Sequence, residues 1–171
     1  MMAEDVMSSP VLSLNVDTTL KEAASILSEH RISGALVTDR RGDPVGVVSL
    51  FDIVSYMAGF ERPAEEPGGF YRYSYPKFSE GGEGWDGEWD VVEEESLKEI
   101  TVGEIMSPEI ITVSPKLPLA DVGKLLAERH IHRTFVAGPD GPVGVISTMD
   151  VLGGLTGVKR PRAGGIHASP A

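Results

Sequence analysis

The sequence predicts an α+β fold in which two β-α-β-β-α repeats pack as a pseudo-twofold pair, with an acidic, aromatic-rich insertion between them. Two similar stretches of about fifty residues lie either side of a dissimilar middle segment. Within each stretch, short β-prone runs and an amphipathic helical pattern recur in the same order. The chain has 171 residues, of which 41% are apolar, so it can close a hydrophobic core. These observations together favour one duplicated fold.

The internal repeat holds its register over most of each stretch. Residues 6–8 match residues 105–107 at an offset of 99, and this offset continues to Gly42 and Gly141. One deletion at Asp43 then changes the offset to 98. The remaining matches are Pro44-Val45-Gly46-Val47 with Pro142-Val143-Gly144-Val145, Ser49 with Ser147, and Asp52 with Asp150. Agreement across both helical and extended patterns indicates a duplicated structural unit.

Each element of the repeat has its own signal. The first strands are predicted at 11–14 and 110–113, and two further strands follow a helix in each copy. The first helix has apolar residues at i, i+3, i+4 and i+7, namely Leu20, Ala23, Ala24 and Leu27. Thr19 and Glu22 have the spacing of a capping box at its start. A final helix is expected over about 50–57 and 148–155, with Gly59 and Gly157 as C-caps.

The domain boundaries follow from the repeat. We expect the first repeat at 4–59, the insertion or linker at 60–102, the second repeat at 103–157 and a disordered tail at 158–171. A unit of about fifty residues with one small sheet buries little apolar surface when it is alone. The two repeats are therefore predicted to pack sheet to sheet in a single globule.

Composition excludes several classes of protein. The net charge of -11 argues against a general nucleic-acid binder, because phosphate contacts need a basic face. The absence of cysteine excludes disulfides, thiol nucleophiles and Cys-ligated metals. No apolar run approaches the roughly 18 residues that a membrane helix needs, so we expect a cytoplasmic protein without membrane association.

The middle segment combines acidity with aromatic residues. Residues 60–99 contain 12 acidic and 4 basic side chains, and 8 of the chain's 11 aromatic residues. Because flexible linkers seldom carry so much ring surface, we expect residues 70–89 to pack against the module or a partner chain. A divalent-cation site at Asp86, Glu88 and Asp90 is a weaker alternative.

The most informative motif is Gly-h-h-Ser-x-x-Asp, where h is apolar, which ends at Asp52 in one repeat and at Asp150 in the other. In one interpretation, Ser49 and Ser147 cap the helices that follow, and each Asp reaches back to its cap. In the other, helix N-terminal amides and the Ser hydroxyl bind phosphate while the Asp accepts from sugar hydroxyls. The two roles are compatible, so the motif alone does not decide between them.

The order of elements, the duplicated motif and the paired turns resemble a tandem pair of cystathionine β-synthase (CBS) domains, the Bateman module, over residues 4–59 and 103–157. The resemblance implies clefts that bind AMP, ADP, ATP or S-adenosylmethionine as regulatory ligands, with no catalytic cofactor. It makes Asp52 and Asp150 ribose ligands and places Ser49 and Ser147 against ribose or phosphate. It also implies backbone groups that flank the adenine, at Leu12, Ser13, Ile111 and Thr112.

The two repeats differ where the second strand begins. The second repeat has His132-Arg133, which resembles a phosphate-binding pair in the family, whereas the first has Ser33-Gly34. A guanidinium can hold a phosphate bidentately, and a neighbouring imidazole adds a donor. Thr148 also supplies a second hydroxyl where the first repeat has Leu50. We therefore expect unequal sites, with phosphate bound better by the second repeat.

Three functions compete at this stage. The resemblance favours a stand-alone regulatory module, a homodimer that senses adenine nucleotides and signals to an unidentified protein. A nucleotide enzyme is disfavoured because the sequence has no P-loop, no nucleophile-base pair and no metal-ligand spacing. A structural or dimerisation module without a nucleotide ligand is the remaining alternative. The carboxylate in both repeats favours the first function over the third.

Overall fold

A computed structural model describes residues 1–58, 71 and 95–158. The candidate cation ligands Asp86, Glu88 and Asp90 lie outside the described residues, as do the predicted C-cap Gly59 and almost all of the predicted tail. Of the aromatic segment at 70–89, only Tyr71 is described. The fold below concerns the described residues.

Both repeats contain the predicted strand, helix, strand, strand and helix, each preceded by a short additional helix. The elements of the first repeat are α1 (Ala3–Val6), β1 (Ser13–Asn15), α2 (Leu20–Glu29), β2 (Gly34–Thr38), β3 (Pro44–Ser49) and α3 (Leu50–Met57). The elements of the second repeat are α4 (Val102–Ile105), β4 (Thr112–Val113), α5 (Leu119–Glu128), β5 (Arg133–Gly138), β6 (Gly141–Ser147) and α6 (Thr148–Thr156). A single 3-10 turn at Ser96–Lys98 precedes α4. The mixed α+β class predicted from the sequence is confirmed.

Capping residues mark the start of α2 and the end of α6. Thr19 accepts a hydrogen bond from the Glu22 amide, while the Glu22 carboxylate accepts from the Thr19 amide at 3.0 Å, so the predicted capping box is present. Such a cap stabilises a helix by about 1 kcal/mol. The α6 helix ends at Gly157, whose φ of 74° lies in the left-handed region that favours glycine. The predicted cap at Gly157 is confirmed.

Each repeat forms one three-stranded sheet of the same topology. The strand orders are β1-β2-β3 and β4-β5-β6, and in each sheet the first pair is parallel and the second antiparallel. The first strands start later than the β-prone runs predicted. Leu12 and Ile111 make only single backbone contacts, to the amides of Leu36 and Phe135, before regular pairing begins.

The additional helices interlock the two repeats, which the sequence reasoning did not anticipate. The segment containing α1 packs on the second repeat, where Ser8 and Val145 exchange backbone hydrogen bonds of 2.9 and 3.0 Å. The segment containing α4 packs on the first repeat, where Ser107 and Val47 exchange two bonds of 2.8 Å. Each repeat therefore completes its outer strand with backbone from the other.

The apolar core is shared between the repeats, as expected for a sheet-to-sheet pair. Leu36 and Val47 of the first repeat belong to the same buried cluster as Phe135 and Ile146 of the second. A second cluster surrounds α2 and includes Val102 from α4. Burial of these apolar side chains is the main force that holds the halves together.

None of the helices in the described ranges is long and apolar enough to cross a membrane.

Candidate functional site

Strand register brings the conspicuous polar residues of the first repeat to one edge of its sheet. Gly34 pairs with Ser49, so the start of β2 lies beside the end of β3. The Leu50 amide donates to the Ser33 carbonyl at 3.0 Å, which holds the start of α3 against the same edge. Leu12 lies on the other side of β2, where its carbonyl accepts from the Leu36 amide. We call the region of Leu12, Ser33, Ser49 and Asp52 the first edge.

The second repeat builds the matching region with more charge. Arg133 pairs with Ser147 across β5 and β6, and the Thr148 amide donates to the His132 carbonyl at 2.9 Å. The Ile111 carbonyl accepts from the Phe135 amide and from the Thr134 hydroxyl, both at 3.0 Å. We call the region of Ile111, His132, Arg133, Ser147 and Asp150 the second edge. It gathers most of the residues that the sequence singled out in this repeat.

A hydrogen bond from Arg133 to Ser33 joins the two edges. The Arg133 guanidinium donates from Nη1 to the Ser33 hydroxyl at 2.9 Å. Ser33 immediately precedes β2 and Arg133 is the first residue of β5, so the bond brings the starts of these two strands together. Ser33 and His132 are matching positions in the repeat. The contact anchors the guanidinium between the repeats, while the backbone of Arg133 pairs with Ser147, the N-cap of α6. It is a role for Arg133 that the sequence analysis did not foresee.

Both Ser-x-x-Asp motifs form the capping boxes considered above. The Ser49 amide and hydroxyl donate to Asp52 Oδ2 at 2.8 and 2.7 Å, and the Ser49 hydroxyl accepts from the Asp52 amide at 3.2 Å. Ser147 and Asp150 make the same three contacts. In each box the carboxylate accepts both bonds through Oδ2. The capping interpretation is confirmed, and it remains compatible with a ligand contact.

The two carboxylates differ in accessibility. Asp52 is buried, with 7% of its surface exposed, whereas Asp150 is half-buried. Ser49 is buried as well, while Ser147 is half-buried. A ligand therefore has easier access to the carboxylate of the second edge. The other predicted site residues are either half-buried, namely Leu12, Ile111 and Arg133, or exposed, namely Ser13, Thr112, His132 and Thr148.

Tyr71 lies at the second edge, although the sequence analysis did not include it among the site residues. Its side chain is fully buried, and its hydroxyl accepts from the Ile111 amide at 2.7 Å and donates to the Glu109 carbonyl at 3.1 Å. Its own carbonyl accepts from the His132 amide at 2.7 Å. Burial raises the pKa of the Tyr71 phenol above its usual value of 10.0, so the hydroxyl keeps the proton that it donates.

Aromatic density was the one sequence signal that could have pointed to Tyr71. It predicted packing of the segment 70–89, and Tyr71 does pack on the second repeat. It gave no indication of which surface would receive the ring, because no repeat or spacing relates Tyr71 to Ile111, 40 residues away.

Within the described part of the chain, no group of three or more His, Asp or Glu side chains could hold a metal ion.

Comparison with known proteins agrees with this architecture. The sequence matches the CBS domain family over residues 3–59 and 102–157. Among curated proteins it is similar to the chloroplastic CBS domain-containing protein CBSX1 of Arabidopsis thaliana, with 30% identity over 146 residues. That alignment covers 84% of this chain but 58% of CBSX1, so the chain spans less than two thirds of this relative.

Solved structures with the same fold include complexes with adenosine-containing ligands. The CBS domain pair of protein MJ0100, solved with 5'-methylthioadenosine and S-adenosyl-L-methionine, aligns with a TM-score of 0.63 and 21% identity. The alignment covers 93% of this chain and 98% of that one. The CBS domain of a bacterial CNNM/CorC family Mg²⁺ transporter, solved with ATP, has a TM-score of 0.62 and 20% identity, covering 92% and 88% of the two chains. At these identities the likeness concerns the fold.

Proposed function

The chain belongs to the CBS domain family, and on that premise we propose that it is a regulatory module that binds adenosine-containing ligands at its two sheet edges. Ligand binding would change the balance between two conformations and so alter contacts with a partner protein. A ligand can do this only if it binds the two conformations with unequal affinity. The candidate ligands are AMP, ADP, ATP and S-adenosylmethionine.

The observation that carries this proposal is the grouping of complementary polar groups at the second edge. The Ile111 amide donates to the Tyr71 hydroxyl, and the same hydroxyl donates to the Glu109 carbonyl. Adenine offers a similar pair in its N6 amino group and N1. The half-buried Asp150 can accept from ribose hydroxyls. Arg133 pairs with Ser147, the N-cap of α6, and its guanidinium and that helix N-terminus can both attract an anion, so base, sugar and phosphate each have a counterpart.

The first edge supports the same ligand class with less charge. It has the Leu12 backbone, the Ser49 hydroxyl and the Asp52 carboxylate, but Ser33 stands where the second repeat has His132. We infer that it favours adenosine compounds without a strong phosphate requirement. The ligands bound by MJ0100 and by the CNNM/CorC domain, S-adenosyl-L-methionine, 5'-methylthioadenosine and ATP, support adenosine as the shared element.

A thermal-shift screen tests the proposed function. We expect at least one of AMP, ADP, ATP and S-adenosylmethionine to raise the midpoint of unfolding. At a concentration of about 100 times the dissociation constant, a ligand stabilises the folded state by roughly 2.7 kcal/mol. For a chain of this size that corresponds to about 5 to 10 °C. Guanosine and uridine nucleotides are the matched controls, and equal shifts with all nucleotides would contradict adenosine recognition.

We also propose that the module acts as a homodimer formed through α6. Three apolar residues of this helix are exposed, namely Met149, Leu152 and Leu155, and Val158 follows them. Exposed apolar residues grouped on one helix are typical of protein interfaces. A second copy would cover them by repeating the same surface about a twofold axis.

Sedimentation equilibrium measures this directly. We expect a species of twice the chain mass of 18.3 kDa, and a shift to the monomer when Leu152 and Leu155 are both replaced by Glu. Replacement of Lys124 by Glu, on the exposed face of α5, is the charge-matched control. A wild-type protein that sediments as a monomer at micromolar concentration would contradict the dimer.

A structural module without a nucleotide ligand is the second candidate. The capping boxes account for both Ser-x-x-Asp motifs without any ligand, and Tyr71 satisfies the backbone at Ile111 and Glu109. This function predicts no stabilisation by any adenosine compound in the thermal-shift screen.

A further inference from the structure

Tyr71 makes polar contacts at both of its ends. Its phenol hydroxyl bridges the Glu109 carbonyl and the Ile111 amide, and its backbone carbonyl accepts from the His132 amide. The side chain is fully buried within the apolar cluster that the two repeats share. The residue therefore bridges the second edge, from the segment just before β4 to the segment just before β5, and pairs with backbone polar groups of both.

The hydroxyl uses the groups that we assign to the ligand base. In an extended segment, the carbonyl of one residue and the amide two residues later point to the same side, which is the relation of Glu109 to Ile111. A ligand group that donates and accepts at neighbouring atoms can satisfy both. The Tyr71 hydroxyl does this with one oxygen, and an adenine edge would do it with two nitrogens. The ring and a base cannot make these contacts at the same time.

We propose that Tyr71 is an internal occupant of the second edge, which an adenosine-containing ligand must displace in order to bind there. This inference rests on the proposed function and adds a built-in competitor to it. The ligand would then be sensed through release of Tyr71 from Ile111, Glu109 and His132. The release of Tyr71 is a candidate for the conformational change that a partner protein recognises.

The first edge lacks a comparable occupant among the described residues. Leu12 is the match of Ile111, and within the described ranges no tyrosine hydroxyl contacts its amide. Pro10 stands where the second repeat has Glu109. Among the described residues the competitor therefore affects the second edge alone, and we expect ligand to fill the first edge before the second even though the second carries more charge.

The competition has a simple quantitative form. The apparent dissociation constant of the second edge equals the intrinsic constant divided by the fraction of molecules in which Tyr71 has left. A buried hydrogen bond is worth about a 2- to 10-fold change in such a population. Loss of the two hydroxyl contacts should therefore tighten ligand binding several-fold, and loss of the whole side chain should tighten it further.

A residue-resolved titration tests the inference in the full-length protein. AMP and S-adenosylmethionine are added separately to ¹⁵N-labelled protein, with the Ile111 amide reporting the second edge and the Leu12 amide the first. We expect Tyr71→Ala to tighten binding at the second edge by at least about tenfold, and Tyr71→Phe by about fivefold. Affinity at the first edge should stay unchanged. Tyr56→Phe, which removes a phenol hydroxyl from α3, is the matched control.

The outcomes separate this inference from the proposed function. Tighter ligand binding in the Tyr71 variants, seen at the Ile111 amide and not at the Leu12 amide, supports Tyr71 as an internal competitor. Unchanged or weaker binding there in both Tyr71 variants overturns it, while ligand binding at Leu12 leaves the proposed function standing. If no probe binds at either reporter in any variant, the proposed function fails and the competitor fails with it. Tyr71→Phe keeps the buried ring, so it gives an answer if the alanine variant does not fold.

Discussion

Replacing Gly46 by Ala is expected to destabilise the protein by about 2 to 3 kcal/mol, because the added methyl group collides with the backbone of the other repeat. A Cβ at Gly46 would lie 2.5 Å from the Ser107 carbonyl oxygen and 2.9 Å from Met106 Sδ. That carbonyl belongs to the backbone bridge with Val47, so the crossing segment cannot move without losing hydrogen bonds. Thermal or urea unfolding measures the effect, with a fall in the midpoint of about 5 to 10 °C.

Gly144 supplies the matched comparison, because it occupies the same position in the second repeat. Its Cβ would collide with Met7 Sδ and would lie 2.8 Å from Met7 Cγ. These are side-chain atoms, and methionine adapts its rotamer more readily than a backbone carbonyl can move. We expect Gly144→Ala to cost less than Gly46→Ala. Equal stability of wild type and Gly46→Ala would contradict the interlocked arrangement.

Replacing Asp150 by Ala is expected to weaken binding of both AMP and adenosine at the second edge by about 10- to 100-fold. A charged acceptor that holds ribose hydroxyls contributes roughly 1.5 to 3 kcal/mol for each hydrogen bond, and 1.4 kcal/mol is a factor of ten. Arg133→Ala should instead weaken the binding of AMP and leave the affinity for adenosine nearly unchanged, because the guanidinium binds the phosphate. Calorimetry of both ligands, performed in the Tyr71→Ala background, separates sugar recognition from phosphate recognition.

The control for this experiment is a capping box away from the edges. Glu22→Ala removes the box with Thr19 at the start of α2, so it matches the loss of helix capping in Asp150→Ala. Its ligand affinity should equal that of the parent protein. In the same Tyr71→Ala background, we further expect Asp52→Ala to weaken AMP binding less than Asp150→Ala, since the first edge has no counterpart of His132 and Arg133 to bind the phosphate. Equal losses would show that the two edges bind AMP in the same way.

The sequence was sufficient for the fold because its signals were local and duplicated. The Thr19 and Glu22 box, the apolar spacing in α2 and the glycine after α6 each follow from interactions within one element. The pseudo-twofold pairing followed from the size of the repeat, since one copy alone buries too little apolar surface. The Ser-x-x-Asp motifs were also identified, but only the structure showed that both form complete capping boxes.

The remaining features depend on contacts between distant parts of the chain. The α1 and α4 helices have four residues each, too few to show a hydrophobic period, and each packs on the opposite repeat. The Arg133 contact to Ser33 joins residues 100 positions apart. Tyr71 reaches Ile111 and Glu109 from a segment that has no counterpart in the repeat. None of these contacts leaves a periodic or local pattern that sequence reasoning can read.

A crystal structure of the wild-type protein grown with saturating S-adenosylmethionine or AMP would show whether the ligand binds at the two sheet edges. We expect ligand at the first edge, with ribose hydroxyls within hydrogen-bond distance of Asp52 and the base against the backbone of Leu12. Where the second edge is also filled, the base should contact Ile111 and Tyr71 should have moved away from it. Both edges empty at a ligand concentration that saturates binding in solution, with the ligand on some other surface, would contradict the account.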